Sequence, residues 1–163
     1  PIGAHSSGLF GENPNNKINK LFPLICRSIT NANEELLIFG NDWPTHDGTC
    51  VRDYIHVMDL ADAHVKGLRY LFDNKYAING LFPEIFNLGN GRGYSVKEVI
   101  KKVEMVTGKK VNYKITKRRE GDPDILIASS KKAKHILNWE PKYKKIEIII
   151  EHAWEWYRRN NKL

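Results

Sequence analysis

The sequence predicts a small mixed α/β domain built from short strands alternating with helices. Three observations carry that expectation. Short apolar runs end in Gly/Asn/Asp turns, as in Leu36-Leu37-Ile38-Phe39 before Gly40-Asn41-Asp42, which is a strand signal. Longer segments repeat their apolar residues at helical spacing, as in Val96, Val99, Ile100, Val103 and Val106. Ser95-Val96-Lys97-Glu98 is a capping box opening that helix, and Gly108 closes it.

In chain order, residues 1–17 are rich in Gly, Ser, Asn and Pro and read as loop. Leu21 to Ile29 reads as a short helix. Leu36 to Phe39 is the first strand, residues 43–50 are loop, and Val51 to Val57 is the second strand. Asp59 is the expected N-cap of a helix through about Phe72, with Leu60, His64, Gly67, Leu68 and Leu71 on its inner face. Residues 73–83 read as loop and Glu84 to Leu88 as a buried strand. After the capping-box helix, Val111 to Ile115 is a strand, and Ser129 or Ser130 caps a short helix ending near Leu137. Asn138 to Pro141 is a turn. A last helix runs from about Lys145 to Arg159, with Ile146, Ile149, Ile150, Ala153 and Tyr157 inward. The strands are too few and short for a free-standing sheet, so they are expected to complete something larger.

The 163 residues are 41% hydrophobic and 28% charged, which fits a single soluble globular domain. No run of about 18 apolar residues predicts a membrane span, and the Pro-Ile-Gly-Ala start does not read as a signal peptide. The net charge of +7 comes largely from lysines such as Lys101, Lys102, Lys109, Lys110, Lys131, Lys132 and Lys134. With no nucleic-acid motif beside them, they read as a solvated surface. Cys26 and Cys50 have no metal spacing and read as free thiols of a reducing compartment, the cytoplasm, with one disulfide left open. The six histidines have no zinc spacing, and no nucleophile–histidine–acid set is visible. Gly89-Asn90-Gly91-Arg92-Gly93 does not fit the dinucleotide fingerprint and reads as a turn. Arg52 and Tyr54, two apart on the second strand, leave one face, where a forked cation and a phenol suit an anionic ligand. From spacing alone, an ion pair between Arg52 and Asp53 or another acid is an equal reading.

A series of motifs then stands in order: Pro1-Ile2-Gly3-Ala4-His5, Leu37-Ile38-Phe39-Gly40-Asn41-Asp42, Pro44-Thr45 with Asp47-Gly48-Thr49, Val51-Arg52-Asp53-Tyr54-Ile55-His56-Val57, Asn87-Leu88-Gly89-Asn90-Gly91, Arg118-Arg119-Glu120-Gly121-Asp122 and Leu137-Asn138-Trp139. Over essentially its whole length the chain resembles the C-terminal half of the UDP-glucose 4-epimerases, extended short-chain dehydrogenase/reductases. The resemblance implies the C-terminal, substrate-binding part of a Rossmann-type enzyme, residues 1–163, with the NAD-binding domain and its catalytic tyrosine and lysine absent from this chain. It implies interconversion of UDP-glucose and UDP-galactose through a 4-keto intermediate in the complete enzyme, a homodimer, and an inactive fragment. Neither nucleic acid nor membrane is an expected partner. A non-catalytic nucleotide-sugar module, or another nucleotide-sugar epimerase or dehydratase, is the alternative.

The same resemblance assigns the residues. Arg52 and Arg119 meet the diphosphate, Asp122 the ribose hydroxyls, and Leu37, Ile38 and Phe39 the uracil. Tyr54 contacts substrate, Leu21 offers a backbone N–H, and Pro1 borders the NAD site. Two positions depart from the pattern. Lys20 stands where better-studied members carry asparagine. Leu126 stands where members carry tyrosine or a smaller residue, which implies room for N-acetylated sugars.

Overall fold

The computed structural model describes residues 1–13, 18–73 and 85–162. The elements run α1 (Leu21–Thr30), β1 (Leu36–Phe39), β2 (Val51–Asp53), α2 (Val57–Asp73), β3 (Gly93–Ser95), α3 (Val96–Thr107), β4 (Tyr113–Thr116), β5 (Ile125–Leu126), α4 (Lys131–Leu137) and α5 (Ile146–Asn160). The strands form two small sheets. β1 pairs parallel with β4, from Leu36 opposite Tyr113 to Phe39 opposite Thr116. β2 is central in the other sheet, antiparallel to β3 and parallel to β5.

The mixed α/β class stands, and the helices follow their sequence signals closely. Ser95 accepts the Glu98 N–H at 3.0 Å, and Glu98 accepts the Ser95 N–H at 2.8 Å, so the capping box is complete. Gly108 ends α3 at φ 68°, a conformation glycine adopts without a Cβ penalty. Val99, Ile100 and Val103 of α3 pack with Ile146 and Ile150 of α5, together with Ile25 and Ile38, as the main core. A second cluster gathers Ile55, Ala63, Ala133, Leu137 and Trp139 between α2 and α4. The Trp139 indole N–H donates to the Asp59 carbonyl at 3.0 Å, so this buried ring carries no unpaired donor.

Several expectations are corrected. β2 stops at Asp53, beyond which His56 makes only an isolated bridge to Ile2, and α2 begins already at Val57. Asp59 is therefore not the N-cap. His56 Nδ1 takes the Met58 N–H at 3.0 Å instead. The Asp59 carboxylate is buried and accepts the N–H groups of Lys142 and Tyr143 at 2.9 and 3.0 Å, tying α2 to the turn before α5. Residues 85–88 form no strand, since no described strand runs beside them, and Ile85 is exposed. Glu84 and the loop expected over 74–83 lie outside the described residues. Ser130 precedes α4, but its hydroxyl bonds the Gly89 backbone rather than capping the helix. β3 and β5 are strands that composition gave no sign of.

Of the α2 face expected inward, Leu60 and Gly67 are half-buried while His64, Leu68 and Leu71 are exposed. Beside it Ala61, Val65, Leu68 and Phe72 repeat at helical spacing, and Phe72 is 76% exposed. A continuous apolar stripe of this kind marks a surface that another body normally covers. Replacing Leu68 and Phe72 together by glutamate is expected to cut the chain's binding of a hydrophobic dye to about half or less and to suppress self-association. Dye fluorescence and sedimentation velocity check this, and unchanged association would assign the stickiness elsewhere. Among the described residues no helix is long and apolar enough to cross a membrane.

Candidate functional site

The site is organised around β2. Its central residue, Arg52, lies opposite Tyr94 on β3 and Leu126 on β5. The half-buried Arg52 guanidinium is 3.7 Å from an Asp122 carboxylate oxygen and donates to the Val51 carbonyl at 2.9 Å. Of the two sequence readings, an acid partner for Arg52 is therefore present, but it is Asp122, not Asp53. Asp53 is spent elsewhere. Its carboxylate accepts the N–H groups of Asn90, Gly91 and Ala128 at 2.9, 3.0 and 3.3 Å. This also settles the Gly89–Gly93 turn: its amides already hold a carboxylate, so it is no phosphate cradle.

Cys50, Arg52 and Tyr54 alternate along the chain, and the Arg52 charge acts on both neighbours. Tyr54 lies beyond the end of β2, so the strand period that predicts a shared face does not extend to it. Tyr54 is packed against the main core. Burial pushes its phenol above the ordinary tyrosine range, against the pull of Arg52, so Tyr54 is a neutral hydrogen-bonding group and not a base.

From Asp122 the site continues along the surface. The Asp122 N–H reaches the Arg119 carbonyl at 3.4 Å in the turn containing Gly121. The Arg119 guanidinium lies 4.2 Å from the centre of the Phe39 ring. One face of that ring is thus covered, and a flat base stacks on Phe39 only from the other side or after Arg119 moves. Arg118 turns away, stacking on Trp43 and bonding Asp42 at 2.8 Å, as a surface residue.

The β1 register decides what the strand presents. Leu36 and Gly40 donate their N–H groups to Asn112 and Thr116 at 2.9 Å. Backbone groups alternate between edges, so Leu37 and Phe39 turn theirs to the opposite edge while those of Ile38 serve the ladder. Trp43 Nε1–H donates to the Phe39 carbonyl at 2.9 Å on that edge. The Ile38 side chain is in the core. Leu37, 48% exposed, and Phe39 are left as the contacting residues of this strand.

At the other end, Pro1, Lys20, Leu21 and Tyr54 line one cavity of about 380 Å³ with Glu12 and Trp156. Lys20 is the residue before α1, and no side chain caps that helix's first turn. The Lys20 ammonium is 2.6 Å from Glu12. Leu126 is 59% exposed at the edge of the β2 sheet, beside Arg52 in register. The expected residues thus form two connected groups: a cavity holding Pro1, Lys20, Leu21 and Tyr54, and an open strip from Arg52 through Asp122 and Arg119 to Phe39. Tyr54 joins them.

Sequence reasoning missed Glu12 and the clamp role of Asp53. Neither carries a signal in its own neighbourhood, since both act on residues distant in the chain. Asp47-Gly48-Thr49, one of the motifs that carry the resemblance, is locally structural. Burial raises the Asp47 carboxyl, but hydrogen bonds from Ser95 and Thr49 outweigh it and hold the group below the ordinary carboxylate range. The loop is thereby fastened to the cap of α3. Gly48 sits at φ 78°, and a Cβ there would lie 2.0 Å from the Asn41 carbonyl oxygen, so only glycine fits. Among the described residues no group of acids, histidines and cysteines is arranged to hold a metal, and both thiols are free and buried.

Comparison with known proteins gives the family. The family model for GDP-mannose 4,6 dehydratase matches residues 5–152. UDP-glucose 4-epimerase of Halalkalibacterium halodurans is 46% identical over 158 residues, which are 97% of this chain and 45% of that protein. The Bacillus subtilis UDP-glucose 4-epimerase is 44% identical over 160 residues, 98% of this chain and 45% of its own length. The chain therefore spans about half the length of the curated relatives it matches. Among solved structures, the Stenotrophomonas maltophila UDP-glucose-4-epimerase with bound NAD and formylated UDP-arabinopyranose superposes with a TM-score of 0.89 at 38% identity, covering 99% of this chain and 46% of that one. The Bifidobacterium longum UDP-glucose 4-epimerase in complex with NAD+ and UDP gives 0.82 at 37% identity, covering 99% and 46%. On the family match and these relatives together, the chain belongs to the GDP-mannose 4,6 dehydratase family of extended short-chain dehydrogenase/reductases, as a homologue of the UDP-glucose 4-epimerases.

Proposed function

We propose that these 163 residues are the UDP-sugar-binding portion of a cytoplasmic UDP-glucose 4-epimerase, which in the complete protein interconverts UDP-glucose and UDP-galactose. The observation that carries the reading is the strip itself. Arg52 beside Asp122, Arg119 over Phe39 and Lys20 at the cavity offer three cations, a carboxylate and an aromatic ring in one connected surface. A UDP-sugar presents the matching parts: a diphosphate for the cations, ribose hydroxyls for the carboxylate, a flat base for the ring and strand edge. Its sugar then falls toward the Tyr54 end, and Leu126, beside Arg52 in register, imposes no phenol-sized barrier.

NAD accompanies the ligand in the solved neighbours. The described residues here do not fit its phosphates, because the one glycine-rich turn is committed to Asp53. On this reading NAD is held mainly by the half of the enzyme that this chain does not match, with Pro1 at its border. The role of this chain is positioning: remote binding energy from UDP holds the sugar in reach of the chemistry. The uncovered stripe on α2 favours this reading over a stand-alone module, which would leave no such surface exposed.

Calorimetry with the 163-residue chain tests the proposal. UDP is expected to bind, uridine far more weakly, and UDP binding is expected to weaken steeply with salt. A coupled assay on the same chain is expected to show no interconversion of UDP-glucose and UDP-galactose. Absence of UDP binding at millimolar ligand would overturn the assignment, and measurable epimerisation would overturn the division of labour.

A further inference from the structure

We infer that Glu12 is a built-in competitor for the diphosphate, holding Lys20 until a ligand phosphate displaces it, and that it thereby holds down the site's affinity for diphosphate ligands without touching its affinity for the nucleoside. The inference rests on the UDP-sugar reading above and deepens it.

Glu12 and Lys20 both line the cavity that Tyr54 and Leu21 border. Their side chains meet at 2.6 Å, with 37% and 56% exposure. The ammonium of Lys20 and the uncapped start of α1 place positive charge at the same spot. Two carboxylates line this cavity, Glu12 and Asp53. Asp53 has its oxygens engaged by three backbone N–H groups, so it does not compete for a cation. Glu12 has Lys20 as its side-chain partner and is the acid positioned to repel an incoming phosphate.

Glu12 is also anchored so that its carboxylate can be displaced without the loop leaving. Its carbonyl accepts the Trp156 indole N–H at 3.0 Å. Gly11 lies flush against the same ring, where a Cβ would come within 2.3 Å of it. The backbone of Gly11 and Glu12 is therefore fixed on α5, and the exposed side chain is the movable part. An exposed ion pair of this kind is worth only about 0.2–1 kcal/mol. A diphosphate can break it, because its two phosphates together carry more negative charge than the single carboxylate they replace. A neutral nucleoside has nothing to offer Lys20 and leaves the pair intact.

The test is calorimetric, on the 163-residue chain, with UDP and uridine as probes. Glu12→Gln is expected to tighten UDP by about three- to tenfold, by removing both the competing pair and the repulsion, and to leave uridine unchanged. In a Lys20→Met background the same substitution is expected to give less than about a twofold gain, because the acid acts through Lys20. Circular dichroism and thermal midpoints establish that all variants are folded. Unchanged UDP affinity in Glu12→Gln overturns the inference, as does a gain that persists without Lys20. If the unsubstituted chain binds no UDP, the UDP-sugar reading itself falls and takes this inference with it. If it binds UDP and only the Glu12 effect is missing, the reading stands and the inference alone is lost.

Discussion

Substituting Arg52 by alanine is expected to weaken UDP binding by about 10- to 100-fold, the range for losing a charge-assisted hydrogen-bonding group from a half-buried site. The loss has two sources. The guanidinium itself disappears from the centre of the strip, where β3 and β5 flank it. Asp122, 3.7 Å away in the intact chain, is left as an uncompensated negative charge beside the diphosphate. Arg52→Lys retains the charge but not the planar fork, so it is expected to recover only about a tenth to a third of the lost affinity. Arg118→Ala is the matched control. That guanidinium is already engaged by Asp42 and stacked on Trp43, so UDP binding should not move. Calorimetry reads the affinities, and urea midpoints separate binding from folding. Equal UDP affinity for Arg52→Ala and the unsubstituted chain would remove Arg52, and with it the centre of the proposed site.

The elements legible in the sequence are those specified by neighbours in the chain. The capping box at Ser95 and Glu98, the αL glycine at Gly108 and the periodic Ile146, Ile149, Ile150 and Ala153 of α5 need only local rules, and each appears where those rules put it. β1 reads correctly because four apolar residues before a Gly-Asn-Asp turn leave few alternatives. The failures are all non-local. β3 and β5 are strands because β2 lies between them, which composition cannot show. Residues 85–88 look like a buried strand, yet no described strand pairs with them. Asp59 has the identity of a cap, but Lys142 and Tyr143 claim its carboxylate from more than 80 residues away.

The site divides in the same way. The pairing of Arg52 with Tyr54 on one face follows from a period of two only while the strand lasts, and β2 ends at Asp53, one residue short of Tyr54. Asp122 beside Arg52 and Arg119 over Phe39 are long-range contacts that a family resemblance anticipates and periodicity does not. Glu12, lacking both kinds of signal, is visible only once the cavity is assembled.

The second large effect concerns acid. His56 is fully buried, and its ring is fixed by what surrounds it. The Met58 N–H can only donate, so Nδ1 is an acceptor and the proton sits on Nε2, which donates to His152 Nδ1 at 3.1 Å. Tyr143 stacks on the ring at 4.1 Å, and Gly3 lies so close that a Cβ there would fall 2.7 Å from it. A second proton on His56 would sever the Met58 bond and place a charge in this packed space. Burial, then His152, lower the pKa, against an opposing pull from Asp59, to about 4 from 6.5. The folded state thus binds the proton more weakly than the unfolded chain does. The contribution to stability is complete above pH 6.5 and drains away as pH falls toward 4, by a total of about 3 kcal/mol. His56→Gln isolates it from the carboxylates that titrate in the same range. The stability difference between the unsubstituted chain and His56→Gln is expected to be largest at pH 7 and to shrink by about 2 to 3 kcal/mol by pH 4. Denaturant titrations at several pH values measure it. A difference that stays constant would mean that His56 carries its proton as easily folded as unfolded, and that Ile2 and Gly3, which border the cavity and pack on this ring, are insensitive to acid.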